Sequence, residues 1–253
     1  MNIVVPIKQV PDLVEELEID GSGKDLNREW LKYKINEFDD HALEEALLYK
    51  EANGGTVTAI VLDSDGIDKV LHAAAAKGAD KVVKIMGDFG SAVSSHAAGK
   101  AMADAIQAMG FDMVMTGVQA VDDRDGQLAG IIANHLNTPN INVVTGVTKD
   151  GDNLVVQKEY GGGVVAEFEV STPVVIGVQA ARETPRYIPV AKIRKASRGI
   201  NIEEVSGSTD GNAGSEVSRM FKPEGGQGAE MLGDDAEAAA ARIIEILNEK
   251  GIK

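Results

Sequence analysis

Three aspartates, one arginine and two glutamines crowd into TGVQAVDDRDGQLAG, residues 116–130, between an apolar run ending at Met113, Val114 and Met115 and a helical pattern carrying Leu128, Ile131, Ile132 and Leu136. A strand-to-helix loop this polar is not built for packing. Backbone N–H groups at Gly126, Gln127 and Leu128, where the helix starts, suit a phosphate, and Gly126 allows close approach. The carboxylates of Asp122, Asp123 and Asp125 read equally as helix caps and a solvated turn. A divalent cation is a poorer fit, because Arg124 stands among them without further oxygen ligands, and no metal ligands are assigned.

Competing chemistries find little support. The residues after the first strand, Lys8-Gln9-Val10-Pro11-Asp12, lack the glycines of a dinucleotide turn, and no Walker A loop occurs. Four histidines, His41, His72, His96 and His135, fall in helical stretches without metal-ligand spacing. Glu44 and Glu45 are adjacent on a helix and point apart, so they read as a solvated face and not an acid/base dyad. No catalytic residue is assigned.

The elements that must position the loop alternate between strand and helix. Strand-like runs occupy residues 2–7, 56–62, 81–85, 113–116 and 174–178, and helical patterns occupy 40–51, 66–77, 92–109 and 126–136. Gly54, Gly78 and Gly110 stand where helices would end. This order predicts an α/β fold: a mainly parallel, Rossmann-like sheet with helices on both faces. Residues 154–160 and 164–170 alternate more cleanly around Gly161, Gly162 and Gly163, which predicts an added β-hairpin on the sheet edge.

With 253 residues and 43% hydrophobic content, the chain can bury one large core. No apolar run approaches the roughly 20 residues needed to cross a bilayer, and the start MNIVVPIKQVPD lacks signal-peptide character, so no membrane insertion and a cytoplasmic location are expected. The absence of cysteine excludes disulfides and thiolate chemistry, leaving any redox role to a bound cofactor. A net charge of −15 argues against nucleic-acid binding. Against that background Lys192, Arg194, Lys195 and Arg198 form a basic cluster. A Gly/Ser/Asp/Asn-rich stretch at 206–215 and a loop at 223–228 follow, and a last helical pattern at 234–248 needs something to pack on. Residues 1–190 thus read as a nucleotide-binding domain, and 191–253 as a basic recognition segment and C-terminal arm whose last helix packs on a partner subunit or, in the alternative, back on its own domain.

Over nearly its whole length the chain resembles the small (beta) subunit of electron-transfer flavoproteins. VVPIKQVPD resembles that family's opening strand and V-K-x-V-x-D turn, INEFDDHALEEAL its N-P-F/Y-D-x-x-A-x-E-E-A segment, and GADK its GAD-R/K. QAVDDRDGQ resembles the Q-A-I-D-D/G-D-x-x-Q signature, and ETPRYIPVAKIRKA the N-E-P-R-Y segment with its basic run. The segments come in the family's order at matching intervals.

The resemblance implies a heterodimer with a larger alpha subunit that holds most of the redox-active FAD, and a second nucleotide, AMP or another FAD, in this chain. It implies that Pro6, Asn36, Glu37, Phe38, Asp39 and Leu62 enclose that nucleotide together with the loop Gly117, Val118, Gln119, Ala120, Val121, Asp122, Asp123, Arg124, Asp125, Gly126, Gln127 and Leu128. Leu62 and Phe38 would flank adenine. Glu37 replaces the family's proline, Arg124 an acidic residue, and Leu128 a frequent hydroxyl residue. Leu13 stands where some members place an aromatic residue near the alpha-subunit flavin. Residues 187–197 resemble the recognition loop that docks acyl-CoA dehydrogenases and related flavoproteins, with Val190 as apolar anchor, Ile188 and Pro189 beside it, and Lys192 and Lys195 following. By residue type alone, the same stretch reads as a strand ending in a basic turn.

The implied function is electron transfer between flavoprotein dehydrogenases and an acceptor, possible partners including a quinone reductase. NADH-oxidising electron bifurcation is the alternative if the second nucleotide is FAD. A stand-alone adenine-nucleotide sensor is the alternative of another class; it would leave the basic cluster and arm unexplained.

Overall fold

The computed structural model describes residues 1–89, 93–208, 217–223, 225, 228–233 and 235–252. Most of the 206–215 stretch, part of the 223–228 loop, and the expected helix starts Ala92 and Asp234 lie outside the described residues. In chain order the elements are β1 (Asn2–Pro6), β2 (Gln9–Pro11), β3 (Tyr33–Ile35), α1 (Glu37–Asn53), β4 (Thr56–Leu62), α2 (Asp68–Lys77), β5 (Lys81–Met86), α3 (Ser95–Met109), β6 (Met113–Gly117) and α4 (Leu128–Leu136). There follow β7 (Asn140–Val144), β8 (Gly146–Asp150), β9 (Asn153–Tyr160), β10 (Val164–Val170), β11 (Val174–Val178), α5 (Val190–Gly199), β12 (Ile202–Ser206) and α6 (Ala236–Glu249).

Seven strands form one parallel sheet in the order β12-β5-β4-β1-β6-β11-β7. Its central strands are covered on both faces, so they read in sequence as near-continuous apolar runs; every residue of β6 and β11 is buried. Alternate side chains separate into two cores. Ile3, Val5, Val57, Ala59 and Val61 meet Leu43 and Leu47 of α1 and Leu71 of α2. On the other face Val4, Ile60, Val83, Val114 and Val175 meet Met102 and Ile106 of α3 and Ile132 of α4.

The hairpin is displaced from the position the sequence suggests. β9 and β10 pair antiparallel with full register, but with β8 they make a separate three-stranded sheet and not the edge of the parallel one. Val147, Leu154 and Val156 point into the α1 side of the core, so the hairpin is held by side-chain packing instead of by pairing with a parallel strand. The open edge goes to β7 on one side and to β12 on the other. β12 pairs with β5 from Ile202↔Val82 to Ser206↔Met86, so part of the stretch assigned to the arm belongs to the sheet.

Two compact units result, Met1–Met220 and Phe221–Lys253. Within the second, α6 is capped by Asp235, whose side chain accepts from the Glu237 amide at 3.0 Å. No helix among the described residues is long and apolar enough to cross a membrane.

Candidate functional site

From β1 the chain moves outward to β4 and β5, then returns to β6 on the opposite side of β1. This reversal makes a switch point between β1 and β6, where parallel sheets open a crevice beyond their carboxyl ends. Three pieces of chain converge there: residues 6–8 at the end of β1 and just beyond it, the start of α1, and the loop after β6.

Asp39 ties them together. Its carboxylate is 5% exposed; Oδ2 accepts the Lys8 amide at 2.7 Å and Oδ1 the Gly117 amide at 3.1 Å. The ends of β1 and β6 are thus joined through one side chain of α1. Gly117 is required by this approach, since a Cβ there would stand 2.3 Å from Asp39 Oδ1 and 2.7 Å from the Phe38 carbonyl carbon.

Burial pushes the Asp39 carboxyl up to about 7, against the downward pull of the Lys8 and Gly117 amides, the Asn36 side chain and the Lys8 charge. The folded value lies above the ordinary 3.8, so the stability this group contributes is complete below that pH and is lost as pH rises through about 7. Asp39→Asn cannot ionise and should remove that slope. Denaturant titrations between about pH 4 and pH 8 should show the wild-type advantage over the variant falling up to about pH 7 and then levelling; a constant difference would contradict the buried-acid assignment.

Asn36 precedes α1 but gives the helix no side-chain cap. Its Nδ2 instead donates to the Gln119 carbonyl at 2.8 Å, pinning the loop to the helix start. Asn36 is fully buried, and its Oδ1 has no partner among the described residues. An unpaired buried acceptor costs about 1–3 kcal/mol, a penalty that a ligand's donor would relieve.

The loop carboxylates are engaged by the protein itself. Lys8 Nζ lies 2.8 Å from Asp122 and 2.8 Å from Asp123; burial draws its pKa down, but these two carboxylates outweigh that and raise it overall. Asp125 accepts the Gln127 amide at 3.1 Å and the Ser95 hydroxyl, fastening the loop to α4 and α3. Of the three amides expected to face phosphate, Gln127 is therefore occupied, while those of Gly126 and Leu128 bond to nothing among the described residues. Arg124 and Gly126 take positive φ values of 54° and 64°, which reverse the chain just before the helix. Arg124 is exposed, Pro6 is buried, and Phe38 and Leu62 are half-buried at the ends of their elements. A shallow hollow of about 390 Å³ adjoins Gly126 and Gln127, walled by His96, Gly130, Ile131, Asn134, His135 and Asn142.

A phosphate-bearing ligand fits this set on three counts: a topological switch point, a buried acceptor without a partner among the described residues, and two amides at the start of α4 that bond to nothing among them. The electron transfer flavoprotein domain matches residues 25–209. The chain is 34% identical to the electron transfer flavoprotein subunit beta of Methylophilus methylotrophus, over 98% of each chain, and 32% identical to that of Clostridium acetobutylicum, over 99% of each. The subunit beta of Thermoanaerobacterium thermosaccharolyticum is 31% identical over both full lengths. The chain belongs to the electron transfer flavoprotein family.

Two segments of this electron transfer flavoprotein chain that are remote in sequence grip each other. Glu44 and Glu45 of INEFDDHALEEAL are 3% and 0% exposed, correcting the reading of a solvated face. Both engage the segment of residues 181–186. Glu45 accepts the Val147 amide of β8 at 2.8 Å, the Arg182 amide at 3.0 Å and Arg182 Nε at 2.7 Å. Glu44 receives Arg186, and His41 Nδ1 accepts the Ala181 amide at 3.1 Å. Sequence reasoning missed Lys8, Glu44, Glu45, Arg182 and Arg186; the only available signal was the pairing of an acidic motif with an arginine-bearing one.

Residues 187–197 are part helix. Pro189 stands at the N-cap and Val190 opens α5, so neither a strand ending in a basic turn nor a continuous loop describes them. Tyr187, Pro189, Val190, Lys192 and Lys195 are exposed and Ile188 is half-buried. Leu13, 57% exposed, follows β2 on a turn closed by the Glu15 amide onto the Asp12 carbonyl at 3.1 Å.

Proposed function

We propose that this chain pairs with a larger alpha subunit and works as the small subunit of a heterodimer passing electrons between flavoprotein dehydrogenases and an acceptor, with an adenine nucleotide held at its own switch point. The observation that carries the nucleotide is the buried Asn36 Oδ1, without a partner among the described residues, beside the Asp39–Gly117 junction. Asn36 would accept a donor of the base, Phe38 and Leu62 would flank the ring, and the Gly126 and Leu128 amides would meet phosphate. FAD, bound mainly by the alpha subunit, supplies the redox chemistry. This chain's residues bind, orient and dock. Leu13 would stand near that flavin, while Val190, with Ile188, Pro189, Lys192 and Lys195, would meet a dehydrogenase such as an acyl-CoA dehydrogenase.

AMP is the preferred nucleotide. A specific observation favours a second FAD instead: the hollow of about 390 Å³ beside Gly126 gives room beyond the first phosphate, and Arg124 is free to meet added negative charge. That arrangement would make NADH-dependent bifurcation the function. The test is to coexpress both subunits, denature the purified complex and quantify the released nucleotides. One FAD with one AMP supports simple transfer; two FAD without AMP supports bifurcation; a colourless homodimer stable without a partner would overturn both in favour of a sensor.

A further inference from the structure

We propose that Glu44 is a positioning residue for partner docking: through Arg186 it sets where Tyr187 and Val190 stand at the head of α5. This rests on the reading that residues 187–197 dock the partner.

Arg186 is restrained at both its backbone and its side chain. Its amide donates to Glu44 Oε2 at 2.9 Å, Nη2 to Oε1 at 2.7 Å, and Nε to both oxygens at 2.9 Å. Nη1 reaches Glu51 at 2.7 Å. The guanidinium is held charged, well above its ordinary range, by the bonds from Glu44 first and Glu51 second. A planar fork gripped in this way fixes orientation as well as place.

The next residue, Tyr187, is 85% exposed, and Val190 is 61% exposed. α5 lies along α2 but buries none of its side chains, so core packing does not lock its head. Its far end is tied down by β12, whose pairing with β5 begins at Ile202. At its near end the anchor is Arg186. A buried ion pair of this kind rarely stabilises a fold more than apolar residues of the same shape would. Its gain is geometric, because an exposed apolar anchor contributes to docking only when it is presented in one place.

The experiment uses the purified heterodimer carrying Glu44→Gln, with Val190→Asp as control for the docking reading. Hydrogen exchange is measured across residues 187–199. In parallel, KM and kcat are measured with the heterodimer as substrate for an acyl-CoA dehydrogenase reduced by its acyl-CoA. Glu44→Gln should raise exchange at residues 187–194 and raise KM about tenfold, the size expected from one charge-assisted bond, with kcat and nucleotide content held. Arg186→Lys keeps the charge, loses the fork and should do the same; it replaces the first variant if that one fails to fold. Unchanged exchange at 187–194, or a KM moved by Val190→Asp and not by Glu44→Gln, overturns the positioning role. If Val190→Asp leaves KM at the wild-type value, the docking reading itself falls, and the proposal with it.

Discussion

Gly117→Ala is expected to strip the proposed nucleotide from this chain while the sheet survives. The added Cβ would lie 2.3 Å from Asp39 Oδ1, 2.7 Å from the Phe38 carbonyl carbon and 2.8 Å from the Asp39 nitrogen. Two of these atoms are backbone of the first turn of α1, and the third belongs to a carboxylate whose Oδ1 is held by the Gly117 amide and whose Oδ2 is held by the Lys8 amide. Nothing there can yield by rotating a side chain, so the head of α1 must withdraw from β6. Overpacking of this kind costs about 1–3 kcal/mol, and more where hydrogen bonds break with it. The withdrawal would carry Asn36, Phe38 and Asp39 away from the loop and open the Asn36–Gln119 bond. Released nucleotide per heterodimer should fall below about one tenth of the wild-type value, while a stability loss of a few kcal/mol leaves the fold standing. Full nucleotide retention by the variant would show that the Asp39–Gly117 junction is not the floor of the site.

The parallel core was legible because strands buried on both faces must be apolar throughout; MVMTG and VVIGV leave few other options. Alternation in β9 and β10 gave their pairing, but it cannot say which sheet a hairpin joins. That is settled by where Leu154 and Val156 find a surface to bury. β12, reading IEEVS, escaped notice because a charged edge strand lacks the apolar signature of its neighbours. In the site, the loop stood out as polar residues where a strand feeds a helix. Its internal wiring did not, since Lys8 with Asp122 and Asn36 with Gln119 are contacts between distant parts of the chain that no local pattern encodes. Asp125 illustrates the balance: the cap reading was available from sequence, and in the structure that cap takes the Gln127 amide from any incoming phosphate.

Glu45→Ala should be the most destabilising single change among the charged residues of α1. The side chain is 0% exposed and accepts from the Val147 amide, the Arg182 amide and Arg182 Nε. Truncation leaves two amides and one guanidinium without their anion, together with a cavity where the carboxylate was. Breaking a buried pair from one side costs about 3–5 kcal/mol, a large share of the roughly 5–15 kcal/mol that holds an ordinary domain. Glu45→Gln retains the shape and one acceptor oxygen, so its cost should be nearer about 1–2 kcal/mol. The order of the two variants separates the causes. A large loss in Ala with a small one in Gln points to the donors that share Oε1, the Val147 amide and Arg182 Nε, which one amide oxygen can still serve; equal losses point to the missing charge and to the Arg182 amide left facing an NH2 group. Thermal unfolding of the heterodimer with each variant reads this directly, and exchange at Val147 and Arg182 locates it. An alanine variant within about 1 kcal/mol of wild type would mean that Glu45 behaves as a surface ion pair despite its burial. The antiparallel sheet would then have to be held by the packing of Val147, Leu154 and Val156, and the 181–186 segment by the Glu44–Arg186 and His41–Ala181 bonds.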